Sequence, residues 1–141
     1  MSRSLAVTQE FMFGDGEVVV ELTKQQVEHL ALEVTLLLCA MTSSLTLRSP
    51  SGQRVELTSG SNDVRATVYK LAATHVRFEL GRNQAEWLQA VVLRAYRDQM
   101  AEVGHIHLEG QAEGKAIDLT LLFQIYKPPM SAQEASRAMD D

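Results

Sequence analysis

A strand-to-helix junction occurs twice in this chain, and no other feature restricts the fold as much. Laying residues 18–34 over residues 76–92 matches Val18 with Val76, Glu21 with Glu79, Leu22 with Leu80 and Lys24 with Arg82, all at an offset of 58. Gln26 with Gln84, Glu28 with Glu86, Leu30 with Leu88 and Val34 with Val92 continue the match. Phe11 and Tyr69 form a further pair at the same offset, ahead of the motif. A hairpin pattern follows each copy: Leu45, Leu47, Val55 and Leu57 after the first, and Ile106, Leu108, Ile117 and Leu119 after the second. Self-similarity at a fixed period is the mark of a repeated supersecondary unit. The competing explanation is local, because any strand that runs into a capped amphipathic helix needs the same residue types in the same places. The duplicate reading predicts an α+β domain of two ββαββ units, about residues 5–58 and 63–125, in which antiparallel sheets are covered on their inner face by two amphipathic helices. Residues 1–126 then form one domain and residues 127–141 a tail.

Taken in order, Val7, Phe11 and Phe13 predict one strand over residues 5–13, joined by a tight positive-φ turn at Gly14-Asp15-Gly16 to a second strand whose Val18, Val20 and Leu22 share the inner face. Thr23 followed three residues later by Gln26 predicts a capping box. The helix it opens should run to about Met41, with Val27, Leu30, Ala31, Val34, Leu37 and Met41 on the core side. Pro50-Ser51-Gly52 turns the first hairpin. Residues 59–62, Ser-Gly-Ser-Asn, read as the link between the units. A strand over Asp63–Tyr69 follows, with Val64, Ala66 and Val68 on one side and a helix through Leu71-Ala72-Ala73 as the competing reading, then a strand over His75–Leu80. Gly81 stands where the first copy has its Thr23 cap. The second helix spans about Arg82–Val103, with Ala85, Leu88, Val92, Ala95, Tyr96 and Val103 as its apolar stripe, and Gly104 ends it. His105–Glu109 and Ala116–Ile125 make the last hairpin. Ser131 with Glu134 would start a short tail helix, which needs a partner or second subunit to be stable.

At 141 residues the chain is long enough to bury about two-thirds of its unfolded surface without a disulfide or metal staple. Its single Cys39 lies in the longest apolar run, Leu36–Met41, so it is expected to be a buried small hydrophobe in a reducing compartment. That run is too short to span a bilayer, and the N-terminus has no sustained apolar segment of the secretory type, which predicts a cytoplasmic protein with no membrane partner. The net charge of −5 opposes nonspecific attraction to nucleic acid. It is unevenly placed, because residues 44–82 are net +3 and the remainder is −8.

Chemistry is sparse. No nucleophile elbow, Gly-rich phosphate loop, His-Glu-x-x-His or Cys/His context occurs, so no enzyme and no cofactor is expected. Glu21 and Glu79 hold equivalent places and would form an acid/base pair if the duplication joined them, but a carboxylate before a helix N-terminus has a structural reason to be there. His105 and His107 share one strand face, joined by His75 if its strand is a neighbour, yet nothing supplies a fourth metal ligand and no metal is expected.

Two surfaces remain. Leu32, Leu36 and Cys39 fall off the core stripe of the first helix, so the helix has a second apolar face to bury, either in a large intramolecular core or in a protein interface, in the first instance with another copy of the chain; the interface is the leading expectation. The outward positions of the middle strands collect Arg48, Arg54, Arg65, Tyr69, His75, Arg77, His105 and His107. If these lie on one sheet, cations stand beside an aromatic ring, as single-stranded nucleic-acid binders require. The element order of two strands, a helix and two strands, taken twice, is similar in topology to Whirly-type single-strand binders and to the duplicated strand–helix–strands unit of sliding-clamp domains. The first resemblance implies single-stranded DNA or RNA as an alternative ligand. The leading expectation is a non-enzymatic protein-binding role, of the kind that small acidic immunity proteins and secretion chaperones share.

Overall fold

A computed structural model describes residues 1–98 and 104–124; the expected tail over 127–141 with its capping box, the expected end of the second helix near Val103 and the last strand position, Ile125, lie outside them. Among the described residues the elements are β1 (Ser2–Ala6), β2 (Met12–Phe13), β3 (Glu17–Thr23), α1 (Lys24–Leu38), β4 (Ser44–Arg48), β5 (Arg54–Ser59) and β6 (Ala66–Ala72). They continue through β7 (His75–Leu80), α2 (Arg82–Asp98), β8 (His105–Leu108), β9 (Gly110–Ala112), β10 (Lys115–Ala116) and β11 (Asp118–Gln124).

The strands form two sheets, one of seven strands in the order β1-β4-β5-β7-β6-β9-β10 and one of four in the order β2-β3-β11-β8. Both are mixed. β1 runs parallel to β4, β5 to β7, β6 to β9 and β3 to β11. This corrects the expectation of antiparallel sheets, and the cause lies in the connections. The β4–β5 hairpin follows α1 but β5 pairs with β7, and the β8 and β11 strands follow α2 but join β3 through β11. A helix lies in the chain between β1 and β4, between β6 and β9 and between β3 and β11, which permits parallel alignment, whereas β5 and β7 are joined through β6, which pairs with the far side of β7.

Strand alternation sets the core. Val18, Val20 and Leu22 of β3, Leu45 and Leu47 of β4, Val55 and Leu57 of β5, Val76, Phe78 and Leu80 of β7, and Leu119, Leu121 and Phe123 of β11 are all buried in one cluster. From the helices come Val27, Leu30, Ala31, Val34 and Leu37 of α1 and Ala85, Leu88, Val92 and Ala95 of α2. α1 packs on strands of both sheets and on α2, where Gln89 Nε2 donates to Thr35 Oγ1 at 2.8 Å.

Thr23 Oγ1 accepts from the Gln26 backbone N–H and Gln26 Oε1 from the Thr23 N–H, completing the capping box of α1. The helix stops at Leu38, short of Met41. Ala40 takes a positive φ of 59°, and the N–H groups of Ala40 and Met41 bond back to the carbonyls of Leu37 and Leu36. This is the left-handed closure usually given to glycine. Met41 therefore leaves the helix stripe and is 69% exposed. Tyr96, at 37%, likewise sits at the edge of the α2 stripe rather than in the core.

Four local expectations are corrected as well. The strand over 5–13 is two pieces in two sheets, because the chain between them is held by the β4–β5 turn: the Gln53 side chain accepts from the Phe11 N–H and donates to the Phe11 carbonyl. Neither Gly14 nor Gly16 has positive φ; among the described glycines only Gly52 and Gly114 do. β6 begins at Ala66, since Asn62 Oδ1 accepts from the N–H groups of Val64 and Arg65 and turns that segment, leaving Val64 82% exposed. Cys39 is exposed rather than buried, because it caps the helix on its outer side.

Candidate functional site

The outer face of the seven-stranded sheet is set by the same alternation that buries its inner face, and register stacks its side chains in rows. Arg48 of β4 is directly opposite Arg54 of β5, which is opposite His75 of β7. Ala6 and Ala72 flank this row and add no bulk to it. The next row runs Thr46, Glu56, Arg77, Tyr69. Glu56 reaches across both: its Oε2 lies 3.4 Å from His75 Nε2 and its Oε1 3.3 Å from Arg77 Nε, the latter without hydrogen-bond geometry. Arg48 and Arg54 are exposed and have no ion pair among the described residues.

Of the eight residues expected on one nucleic-acid face, five share this sheet: Arg48, Arg54, Tyr69, His75 and Arg77. Arg65 lies in the turn before β6. His105 and His107 stand on β8, the edge of the other sheet. His75 is thus separated from them by sheet, and among the described residues no three His, Cys, Asp or Glu side chains gather as a metal-binding group. Glu21 and Glu79 also fall on different sheets, and Glu21 accepts from Gln124 Nε2 at 2.7 Å. Beside Tyr69, a hollow of about 440 Å³ lies between β6 and the β9–β10 hairpin and is lined by Lys70, Gln111 and Lys115 among others. The sequence pattern missed those residues, although Glu113-Gly114, both at positive φ, is the two-residue turn signal that would have found the hairpin.

On α1, 100° per residue places Leu32, Leu36 and Cys39 opposite the buried stripe. Leu32 is 55% exposed and Cys39 exposed, while Leu36 is half-buried. The polar residues Gln25, Glu28 and His29 occupy the same outer face one to two turns earlier and are exposed. To one side, Glu33 is buried and takes a bidentate pair from Arg3 of β1, at 3.0 and 2.8 Å. That hydrogen bond and charge hold the Arg3 guanidinium above its ordinary pKa. The outer stripe thus has charged borders and an uncharged centre. No helix among the described residues is long and apolar enough to cross a membrane. Compared with known proteins, the chain matches no protein-family model and no curated sequence.

Proposed function

We propose that this is a non-enzymatic, cytoplasmic binding protein that acts through a protein interface on the outer face of α1, and that the first occupant of that face is a second copy of the chain. The observation that carries the reading is the stripe Leu32, Leu36 and Cys39, set opposite the core, with Leu32 and Cys39 exposed and Leu36 half-buried between them. Two facts support it. The positions 58 residues later on α2 are Ala90, Arg94 and Arg97, all exposed, so a helix in this setting does not need large apolar side chains there. Residues 34–47 contain no charged side chain in a chain of net charge −5. Two copies therefore repel least where this segment meets itself, and a twofold contact joins one patch to its own image.

Light scattering on a size-exclusion column, over a dilution series, tests the reading. A dimer that dissociates on dilution is expected, and Leu36→Glu should give a monomer with an unchanged far-ultraviolet spectrum. A wild-type monomer at every concentration overturns it.

The alternative, single-stranded DNA or RNA on the outer face of the seven-stranded sheet, is favoured by one specific observation. Arg48 and Arg54 are directly opposed on neighbouring strands, with His75 next in the row, and like charges placed as the two arginines are repel unless an anion lies between them. On this reading Arg48→Ala with Arg54→Ala weakens binding and flattens its salt dependence, measured by fluorescence anisotropy of a labelled oligonucleotide. Absence of binding by the wild type at low salt removes it.

We infer also that the two halves share an origin as ββαββ units. In support, Gly14 and Glu17 close the β2–β3 turn by a backbone hydrogen bond, and Ala72 and His75, 58 residues on, are the last paired residues of the β6–β7 turn.

A further inference from the structure

We infer that His105 and His107 form a chelating site for a borderline divalent cation of the copper, nickel and zinc group, on the edge of the four-stranded sheet. Three features of β8 bring this about. The strand is the last of its sheet among the described residues. Its alternation buries Ile106 and Leu108 and turns His105 and His107 together into solvent. The two rings lie with centroids 5.0 Å apart and planes at 73°, already edge to face.

The neighbouring strand fixes one ring. His107 Nδ1 is 2.7 Å from the hydroxyl of Thr120, which stands opposite it on β11 and is itself 4% exposed. When Nδ1–H donates to that oxygen, the lone pair is on Nε2, the ring nitrogen left free of that hydrogen bond. This is the arrangement by which a buried partner orients a histidine ligand. His105 is exposed, and its ring needs only to rotate about its own side-chain bonds for both nitrogens to reach a metal at about 2.0–2.1 Å. Imidazole pairs favour copper over nickel and zinc and have little affinity for magnesium or calcium. With no group of three ligating side chains among the described residues, water fills the other positions and the ion exchanges freely.

The test uses untagged full-length protein titrated with copper(II) and nickel(II) chloride by calorimetry, with electron paramagnetic resonance of the copper complex. One ion per chain and a spectrum with two equivalent nitrogen ligands are expected. His105→Gln and His107→Gln should each lose one nitrogen and at least tenfold in affinity. His29→Gln and His75→Gln, which change the chain's other two histidines, should change nothing. Thr120→Val, with its fold checked by circular dichroism, should weaken binding while both imidazoles remain. Equal affinity in wild type and His107→Gln overturns the site, as does a spectrum with a single nitrogen in the wild type. An unaltered affinity in Thr120→Val overturns the positioning role of its hydroxyl.

Discussion

Leu32, Leu36 and Cys39 of α1 stand 58 residues before Ala90, Arg94 and Arg97 of α2, and the comparison extends to the start of each helix. At both junctions a buried glutamine, Gln26 or Gln84, returns its side-chain oxygen to the backbone N–H three residues before it. The cap itself differs. α1 is capped by its own Thr23, whereas α2 begins after Gly81 and takes its cap from Asp63, whose Oδ1 accepts from the Asn83 N–H. A Cβ on Gly81 would collide with that carboxylate and with the Asn62 carbonyl. The glycine is therefore not a weak cap but the opening through which a distant residue reaches the helix end. A cap is a position in space, and the second half fills it from the loop ahead of β6.

The largest effect should come from giving α1 the outer face of α2. Leu32→Ala, Leu36→Arg and Cys39→Arg together are expected to abolish self-association in light scattering and leave the melting temperature unchanged or higher, since these side chains contribute nothing to the core cluster. Gly81→Ala comes next. Overpacking against backbone costs about 1–3 kcal/mol, and expelling Asp63 adds the loss of a cap, so about 2–4 kcal/mol is expected in denaturant unfolding. The corresponding change in α1, Thr23→Gly, should cost only a few tenths of a kcal/mol. Equal costs at the two sites would show that the junctions are capped alike.

The flank of α1 offers a third contrast, because Glu33 is buried and its counterpart in α2 is the half-buried Val91. Arg3→Ala leaves that buried carboxylate without its partner and should lower the stability measured by denaturant unfolding. Adding Glu33→Val, the residue that α2 uses, should recover most of the loss, because a packed apolar side chain replaces an ion pair at little cost. The pH dependence follows from the direction of the Arg3 shift. A raised pKa in the folded state gives stability that is complete below the ordinary arginine value and lost only as pH rises through the higher folded one. As far as Arg3 is concerned, the cost of Arg3→Ala should therefore be flat between about pH 6 and 9.

What the sequence discloses of this structure is what depends on neighbours along the chain. Alternation at Val18, Val20 and Leu22 and the spacing of Val27, Leu30, Ala31 and Val34 place both faces of β3 and α1, and Thr23 with Gln26 places the boundary between them. Pairing between distant strands has no such signature. Nothing in β5 or β7 states that they run parallel, so the sheets read as antiparallel hairpins. The same gap divides the candidate nucleic-acid face: alternation correctly tells which way His105 and His107 point from β8, but not that β8 belongs to another sheet than His75. The exposure of Cys39 escapes the sequence for a local reason. Its apolar run reads as buried helix, and only the positive φ at Ala40 ends the helix early and turns the thiol outward. The position of Leu32, Leu36 and Cys39 on one face follows from helical spacing alone, while their exposure depends on α2 packing beside them and not over them.

The smallest contrast lies in the two caps when each is removed without a clash. Thr23→Ala and Asp63→Ala should each cost about 1 kcal/mol, the usual worth of a capping side chain, so equilibrium unfolding would not tell them apart. Hydrogen exchange would. Thr23 closes its box within one turn, and its loss should raise exchange only in the first turn of α1. Asp63 lies in a turn whose Asn62 side chain holds the Val64 and Arg65 N–H groups, so releasing it from α2 frees two segments that are 20 residues apart in the chain. Faster exchange at Asn83 together with Val64 and Arg65 is the expected result in Asp63→Ala. Faster exchange at Asn83 alone would mean that the loop is held without α2, and that the second cap, although distant in sequence, is as local in its consequences as the first.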